Sequence, residues 1–355
     1  QVEVIKGVAS ALYGAGAMGG VVNLLSRRPG EEPEREFLIN QSTRGATDGV
    51  LWLSSPLSES WGVTFLGGGH WQDQADVDRD GWADLAHYER GVARPRFFWD
   101  DGKGQSLFMT VGTTVENRAG GTQLEATLPE TGAPYRESLD TRRFDLGVLW
   151  QTVRGRSVVA ARATMVRQWH DHLFGNVLER DRHDTGFAEV TVRGSNGLHT
   201  WVGGAAVEQD AYTPTDLPQF AYAFTTPGVF LQDDIDVRPW LALSLSGRLD
   251  HHSAYGWFFS PRISSLFRRG NWSTRLSAGT GFFGSTPLTE ETEAAGLARL
   301  TRDGPLRAER GRSGSIDITR THGPFSFTTT FFRSRIADPV HIERSTYTLR
   351  NLLEP

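Results

Sequence analysis

The chain has 355 residues, a formal net charge of −5 and no cysteine, which excludes disulfide scaffolds and cysteine-ligated zinc and gives no nucleic-acid signature. Hydrophobic residues are only 38% of the total, below the usual share of a soluble globule, while glycine (40), phenylalanine (20) and tryptophan (11) are plentiful. No apolar run is long enough for a transmembrane helix, but a β-barrel crosses with strands of about 9–11 residues in which only alternate side chains are apolar.

The chain opens with Val2-Glu3-Val4-Ile5-Lys6-Gly7, then Ser10-Ala11-Leu12-Tyr13-Gly14-Ala15-Gly16-Ala17-Met18-Gly19-Gly20-Val21-Val22-Asn23-Leu24-Leu25, then Arg27-Arg28-Pro29. Gly14 to Gly19 matches Gly-x-Gly-x-x-Gly, a dinucleotide fingerprint that works only between a strand and a helix. Only residues 21–25 follow before the basic pair and proline, too few for that helix. The glycines are therefore read as tight turns and close backbone approaches. Taken whole, the segment resembles the end of the plug domain of TonB-dependent outer-membrane receptors, whose pattern it follows in order over about twenty positions. The resemblance implies a plug end over residues 1–30 and a transmembrane barrel over 31–355.

After residue 33, strand-like runs continue to the end. Leu241, Leu243, Leu245 and Leu249 share one face, with Ser244, Ser246, Arg248 and Asp250 on the other. Phe325, Phe327 and Phe331 alternate with Ser326, Thr328 and Thr330. Phe144, Leu146, Val148 and Trp150 do the same, as do Leu107, Met109, Val111 and Val115. About sixteen runs are expected, near 37–44, 48–54, 61–72, 88–99, 104–117, 141–151, 156–169, 183–193, 197–210, 226–238, 240–250, 258–269, 271–283, 310–320, 324–336 and 340–350. Connections after even-numbered runs are short, and several after odd-numbered runs are long: 73–87, 118–140, 170–182, 211–225 and 284–309. Short turns alternating with long loops are the signature of an outer-membrane barrel. Trp61, Trp71, Trp99, Trp150, Trp169, Trp240 and Trp272 lie near strand ends, where interfacial girdles form. The expected fold class is all-β: a transmembrane antiparallel up-and-down β-barrel preceded by the C-terminal part of a plug.

The resemblance resumes in Gly228-Val229-Phe230-Leu231-Gln232-Asp233-Asp234, Leu245 to His252, Phe259-Ser260-Pro261-Arg262, Leu276 to Phe282 and Leu306 to Arg310. Phe282-Phe283-Gly284-Ser285 departs from the Phe-Arg-Ala-Pro usual in haem receptors. The family barrel has 22 strands, so the resemblance implies that about six strands, the front of the plug and the TonB-binding box lie outside these residues. It further implies a small-molecule ligand held by external loops and plug and moved inward by the TonB energy-coupling complex. Ferric siderophore, cobalamin, haem and oligosaccharide stay open. Lipid and lipopolysaccharide of the outer membrane are the expected surroundings. Inner plug residues such as Tyr13 and Asn23 are expected against the barrel wall.

Asp76-Val77-Asp78-Arg79-Asp80-Gly81 fits the opening of a calcium loop, because carboxylates spaced by two can converge on one hard cation. His87 stands where an EF-hand has its bidentate Glu, and Asp73 and Asp84 are nearby substitutes. A solvated acidic loop is the alternative. The external-loop aromatics Trp82, Tyr135, Tyr222 and Trp257 are the candidate ligand contacts. His170, His172, His251 and His252 are loop histidines that could meet an iron-bearing ligand. No catalytic motif is present, and no enzyme activity is expected. A passive porin, an outer-membrane barrel enzyme and a soluble β-rich binding protein are the rival readings.

Overall fold

The computed structural model describes residues 2–6, 10–123, 126–128, 132–343 and 345–352. Gly7 of the opening motif and residues 353–355 lie outside the described residues. A small hairpin comes first, with β1 (Val2–Lys6) and β2 (Gly20–Leu24) antiparallel. Between them stand a single helical turn, α1 (Ser10–Tyr13), and a 3-10 turn at Ala15–Ala17. Gly14 joins the two turns at φ 82°, a backbone region open to glycine but strained for other residues. A three-residue 3-10 turn running into a strand leaves no helix for pyrophosphate, so the fingerprint-like glycines serve the turn.

Fifteen strands then form one continuous antiparallel sheet in chain order. They are β3 (Glu34–Gln41), β4 (Ala46–Pro56), β5 (Trp61–Gln72), β6 (His87–Asp100), β7 (Gln105–Gly121), β8 (Arg136–Arg154), β9 (Ser157–Phe174), β10 (Val177–Asn196), β11 (His199–Pro214), β12 (Tyr222–Arg238), β13 (Leu241–His252), β14 (Gly256–Arg269), β15 (Trp272–Phe283), β17 (Glu309–His322) and β18 (Phe325–Ala337). The loop between β15 and β17 carries α2 (Glu290–Ala295) and β16 (Thr301–Arg302). Two short strands end the described chain, β19 (Val340–Glu343) and β20 (Thr348–Asn351). The sheet is not closed: β3 and β18 are its edges among the described residues.

Two expectations change. The run at 340–350 is not a sixteenth wall strand. Its halves, β19 and β20, pair with each other, and β20 also pairs with β16, in a separate three-stranded sheet. The expected long loop at 170–182 is a strand ribbon closed by a two-residue turn at Gly175, φ 65°. His170, Asp171 and His172 are therefore strand residues of β9.

Antiparallel partners share a face, so the register sorts the side chains. Leu249 pairs with Val229 and Phe259, Leu245 with Ile263, and Ile316 with Leu276 and Phe331. These side chains are exposed and form a continuous apolar outer surface. On the opposite face Arg248 is buried with Asp250, its Nε donating to Asp250 Oδ1 at 2.7 Å. A β-carbon on Gly14 of the opening hairpin would lie 3.6 Å from the Arg248 guanidinium, so that face looks inward. Arg94 crosses β7 in the same inner layer to donate to both oxygens of Asp145, at 2.5 and 2.7 Å.

Trp61 and Trp99 pair across β5 and β6 with ring centroids 6.4 Å apart. With Trp150, Trp240 and Trp272 they ring the short-turn end of the sheet. Trp71 lies ten residues beyond Trp61 on the same outer face of β5. At about 3.3 Å per residue and a tilt near 40°, that spacing spans about 25 Å, the height of a barrel's lipid-facing band. The hairpins β8–β9 and β10–β11 run well past this level.

Candidate functional site

The loop end of the sheet gathers aromatic side chains on its inner face. Tyr212 and Tyr222 are cross-strand partners stacked at 5.8 Å, and Tyr222 stacks on Phe224 at 4.9 Å. His252 continues the ladder at 4.8 Å from Phe224 and 4.8 Å from Tyr255. Below it Phe258 and Phe282 stack at 3.8 Å and pack against Ala15 of the opening hairpin. This ladder therefore joins the mouth to the plug-like segment. Burial, reinforced by Asp181, pushes the Tyr212 hydroxyl well above the usual tyrosine range.

The β15–β17 loop folds over this ladder. Its helix α2 starts at Thr289, whose hydroxyl accepts from the Thr292 N–H, while the Thr289 N–H donates to Thr292 Oγ1 at 2.7 Å. Glu179 on β10 accepts the N–H groups of Leu297 and Ala298, both at 2.8 Å, and so pins the far end of the helix to the wall. The Tyr255 hydroxyl donates to the Ser285 carbonyl at 2.6 Å. Leu297, Leu300, Ile342 and Leu349 bury together with Tyr212 and Phe220, so the β16–β19–β20 sheet caps the mouth by burying apolar surface.

Beneath α2 is a partly open cavity of about 240 Å³ lined by His170, His172, His183, Glu179, Asp181 and Glu293. It is smaller than ordinary ligand sites, which start near 300 Å³. His170 Nδ1 pairs with Asp181 Oδ1 at 2.9 Å, and His183 Nε2 with Asp210 Oδ1 at 2.6 Å. Asp210 holds the His183 imidazole above its usual range despite burial. These histidines make wall contacts and do not converge on one point.

Of the four expected aromatics, the structure brings together two. Trp82 and Tyr135 stack at 5.6 Å across the β5–β6 and β7–β8 loops, held by a backbone bridge from Trp82 to Thr122. Tyr222 belongs to the separate ladder. Trp257 is a correction: it stands at the start of β14 on the outer face beside His251, ring centroids 4.7 Å apart, and is 67% exposed. Its parity puts it with Leu249 and Phe259, outside the mouth.

In the acidic loop, carboxylate oxygens of Asp76, Asp78 and Asp84 lie within 4.8 Å of one another. Asp80 is not in this group; its carboxylate accepts the Trp82 N–H at 2.8 Å. Asp76 accepts from Arg79 and Gly81, and Asp84 from Val77, which folds the loop around the three acids. The Asp80 N–H lowers the Asp78 carboxyl, but desolvation and the carboxylates of Asp80, Asp84 and Asp76 outweigh it and leave it raised.

The plug-like hairpin meets the inner wall through different residues from those expected. Tyr13 is 43% exposed, and Asn23 spends its amide on Glu3 Oε2 at 3.0 Å. Contact instead runs through buried Ala11, through Gly14 at Arg248 and through Met18, whose sulfur lies 2.9 Å from where a β-carbon on Gly311 would stand. Beside residues 18–22 an inner space of about 820 Å³ is lined by polar groups including Arg262, Arg275, Asp317 and Thr330.

Residues 41–352 match the family described as TonB dependent receptor-like, beta-barrel. The chain belongs to this family. Among curated relatives, it is 25% identical over 336 residues to the ferric enterobactin receptor PirA of Pseudomonas aeruginosa, covering 77% of the chain and 44% of that receptor. It is 26% identical over 145 residues to the ferrioxamine receptor of Yersinia enterocolitica, covering 41% of the chain and 19% of that receptor. The crystal structure of the siderophore receptor PirA from Pseudomonas aeruginosa superposes with a TM-score of 0.79 at 16% identity, covering 99% of the chain and 66% of that receptor. The chain thus spans less than half the length of these curated relatives. As a member of this family the chain belongs to an outer-membrane protein and not to an enzyme.

Proposed function

We propose that this chain supplies the wall and the inner end of the plug for energy-dependent uptake of a ferric siderophore or a similar metal chelate. The observation that carries the proposal is the plug-like segment seated on the inner wall at Arg248 and Gly311. A porin has no use for an obstruction there. A receptor that admits ligand only when TonB pulls on the plug requires one. Similarity to siderophore receptors supports the chelate class. The aromatic ladder suits a flat or ring-bearing chelate, and Trp82 with Tyr135 offers a second stacked pair at the rim.

Calcium is proposed for the acidic loop. Three carboxylates in one small group and a raised Asp78 are what an oxygen-ligated cation would relieve. Bound calcium would stiffen the loop that presents Trp82.

The test uses cells in which the protein containing this chain is the only uptake route. Labelled iron is offered as ferric enterobactin and as ferrioxamine, with and without a proton uncoupler. The expected result is saturable uptake of one chelate that stops with the uncoupler while surface binding persists. Uptake that ignores the uncoupler would support the passive pore. Uptake of neither chelate would remove the ligand class.

A further inference from the structure

Two tyrosines at the mouth are each paired with a carboxylate that is backed by a histidine. Register places His183, Tyr212 and Tyr222 in one row across β10, β11 and β12. Asp181 lies two residues from His183 and Asp210 two residues from Tyr212, so the period of two keeps all five side chains on the inner face. The Tyr212 hydroxyl donates to Asp181 Oδ2 at 3.3 Å, and the other Asp181 oxygen meets His170 Nδ1 at 2.9 Å. The Tyr222 hydroxyl is bonded to Asp210, which meets His183 Nε2 at 2.6 Å. The two rings stack at 5.8 Å, which holds the two phenol–carboxylate pairs side by side. The cavity beneath α2 reaches Tyr212 and Asp181, and Glu293 lines it from the helix.

Phenol and carboxylate oxygens are hard ligands. An all-oxygen set selects hard ions over the copper, nickel and zinc that imidazole and thiolate favour. Burial first, and the carboxylates after it, hold both phenols above the usual tyrosine range, so both carry their protons at rest. Ligands must lose their protons to bind, and a weakly polarising cation such as calcium leaves such phenols intact. A trivalent ion displaces those protons. His170 and His183 stand behind the carboxylates and orient them, as the outer partners of metal ligands do.

We propose that Tyr212, Tyr222, Asp181 and Asp210 form a site for a bare ferric ion at the mouth. Ligation forms two phenolate–iron bonds and breaks two O–H bonds, and the protons leave to water through the cavity. The iron stays ferric and no electron moves. The site takes the metal itself, surrendered by a weak chelator, and so goes beyond uptake of an intact chelate.

The experiment takes the protein containing this chain, stripped of metal and purified in mild detergent. The probe is ferric nitrilotriacetate, with zinc and calcium chlorides in parallel. The wild type is expected to retain a single ferric ion through desalting and to show the visible phenolate-to-iron charge-transfer absorption, which iron held by carboxylates alone does not give. Tyr212→Phe and Tyr222→Phe keep the stacked rings, and each is expected to weaken ferric binding by roughly tenfold or more and to diminish that absorption. Asp181→Asn is expected to weaken binding with the absorption still present. Tyr88→Phe removes a phenol that donates to Glu116 at 2.8 Å elsewhere on the wall, and is expected to bind like the wild type. Heat-modifiable mobility shows that each variant is folded. No ferric binding, binding without that absorption, undiminished absorption in both folded phenylalanine variants, an equal loss in Tyr88→Phe, or equal retention of zinc or calcium would each overturn the proposal. Because uptake is not the readout, failure of this site and failure of chelate uptake are told apart.

Discussion

Leu245 and His183 show how single residues report the two environments of this barrel. Leu245 is 43% exposed on the outer face, five residues above Trp240 on the adjoining turn. At about 3.3 Å per residue along a tilted strand, it sits about 13 Å above that girdle, near mid-membrane. Leu245→Arg is expected to destabilise the folded barrel by roughly 2–4 kcal/mol, whereas Leu241→Arg, beside the turn, should cost about 1 kcal/mol or less. Reversible unfolding in lipid vesicles measures both, and equal costs would mean the register is misread. His183 lies beyond the membrane level, paired with Asp210. Its pKa is raised in the folded state, so the pair's contribution is complete below the ordinary value near 6.5 and is lost as pH rises through the raised one. Amide exchange in the β10–β11 hairpin should therefore quicken as pH climbs above neutrality, beyond the intrinsic pH effect. Asp210→Asn should abolish that extra dependence.

At the scale of elements, the wall strands were legible because lipid on one side and a polar interior on the other impose a period of two. Leu245 against Arg248, and Phe331 against Thr330, carry that signal directly. The signal fades where the strands leave the membrane. Along 170–182 neither face of the ribbon meets lipid, so His170-Asp171-His172 shows no alternation and reads as loop. The run at 340–350 fails in the opposite way. Ile342 and Leu349 are apolar because they bury against Leu297 and Leu300, and a sequence does not say whether protein or lipid covers such a face. Helix α2 had its own signal, Thr289 before three glutamates and Gly296 after, though no alternation pointed to the mouth it closes. In the candidate site, the stacking of Trp82 on Tyr135 joins two loops some fifty residues apart, which local spacing does not encode. The acidic loop was legible as Asp-x-Asp-x-Asp, but that Asp84 and not Asp80 joins Asp76 and Asp78 is set by how the loop folds, with Asp84 accepting the Val77 N–H and Asp80 turned to the Trp82 N–H. Calorimetric titration of the protein containing this chain should show calcium heat that Asp78→Ala removes without unfolding the barrel. No heat at millimolar calcium would leave only a solvated loop.

For the whole molecule, the open sheet and the plug segment have separate consequences. β3 exposes Phe37, Leu38 and Ile39, and β18 exposes Phe325, Phe327, Phe331 and Phe332, so both edges are long and apolar. Such edges pair with other chains. These 355 residues refolded alone in detergent should give polydisperse oligomers in light scattering, and a heat-resistant monodisperse barrel would contradict the open sheet. The central claim is that residues 10–22 lie inside the wall as an obstruction. The chain has no cysteine, so a designed pair within it is unambiguous. Met18→Cys with Gly311→Cys, introduced into the protein containing this chain and oxidised in intact outer membranes, tests that claim most directly. The account predicts an intramolecular cross-link, seen as a reductant-sensitive mobility change, with iron uptake blocked until reduction. Absence of the cross-link in a folded barrel would contradict it.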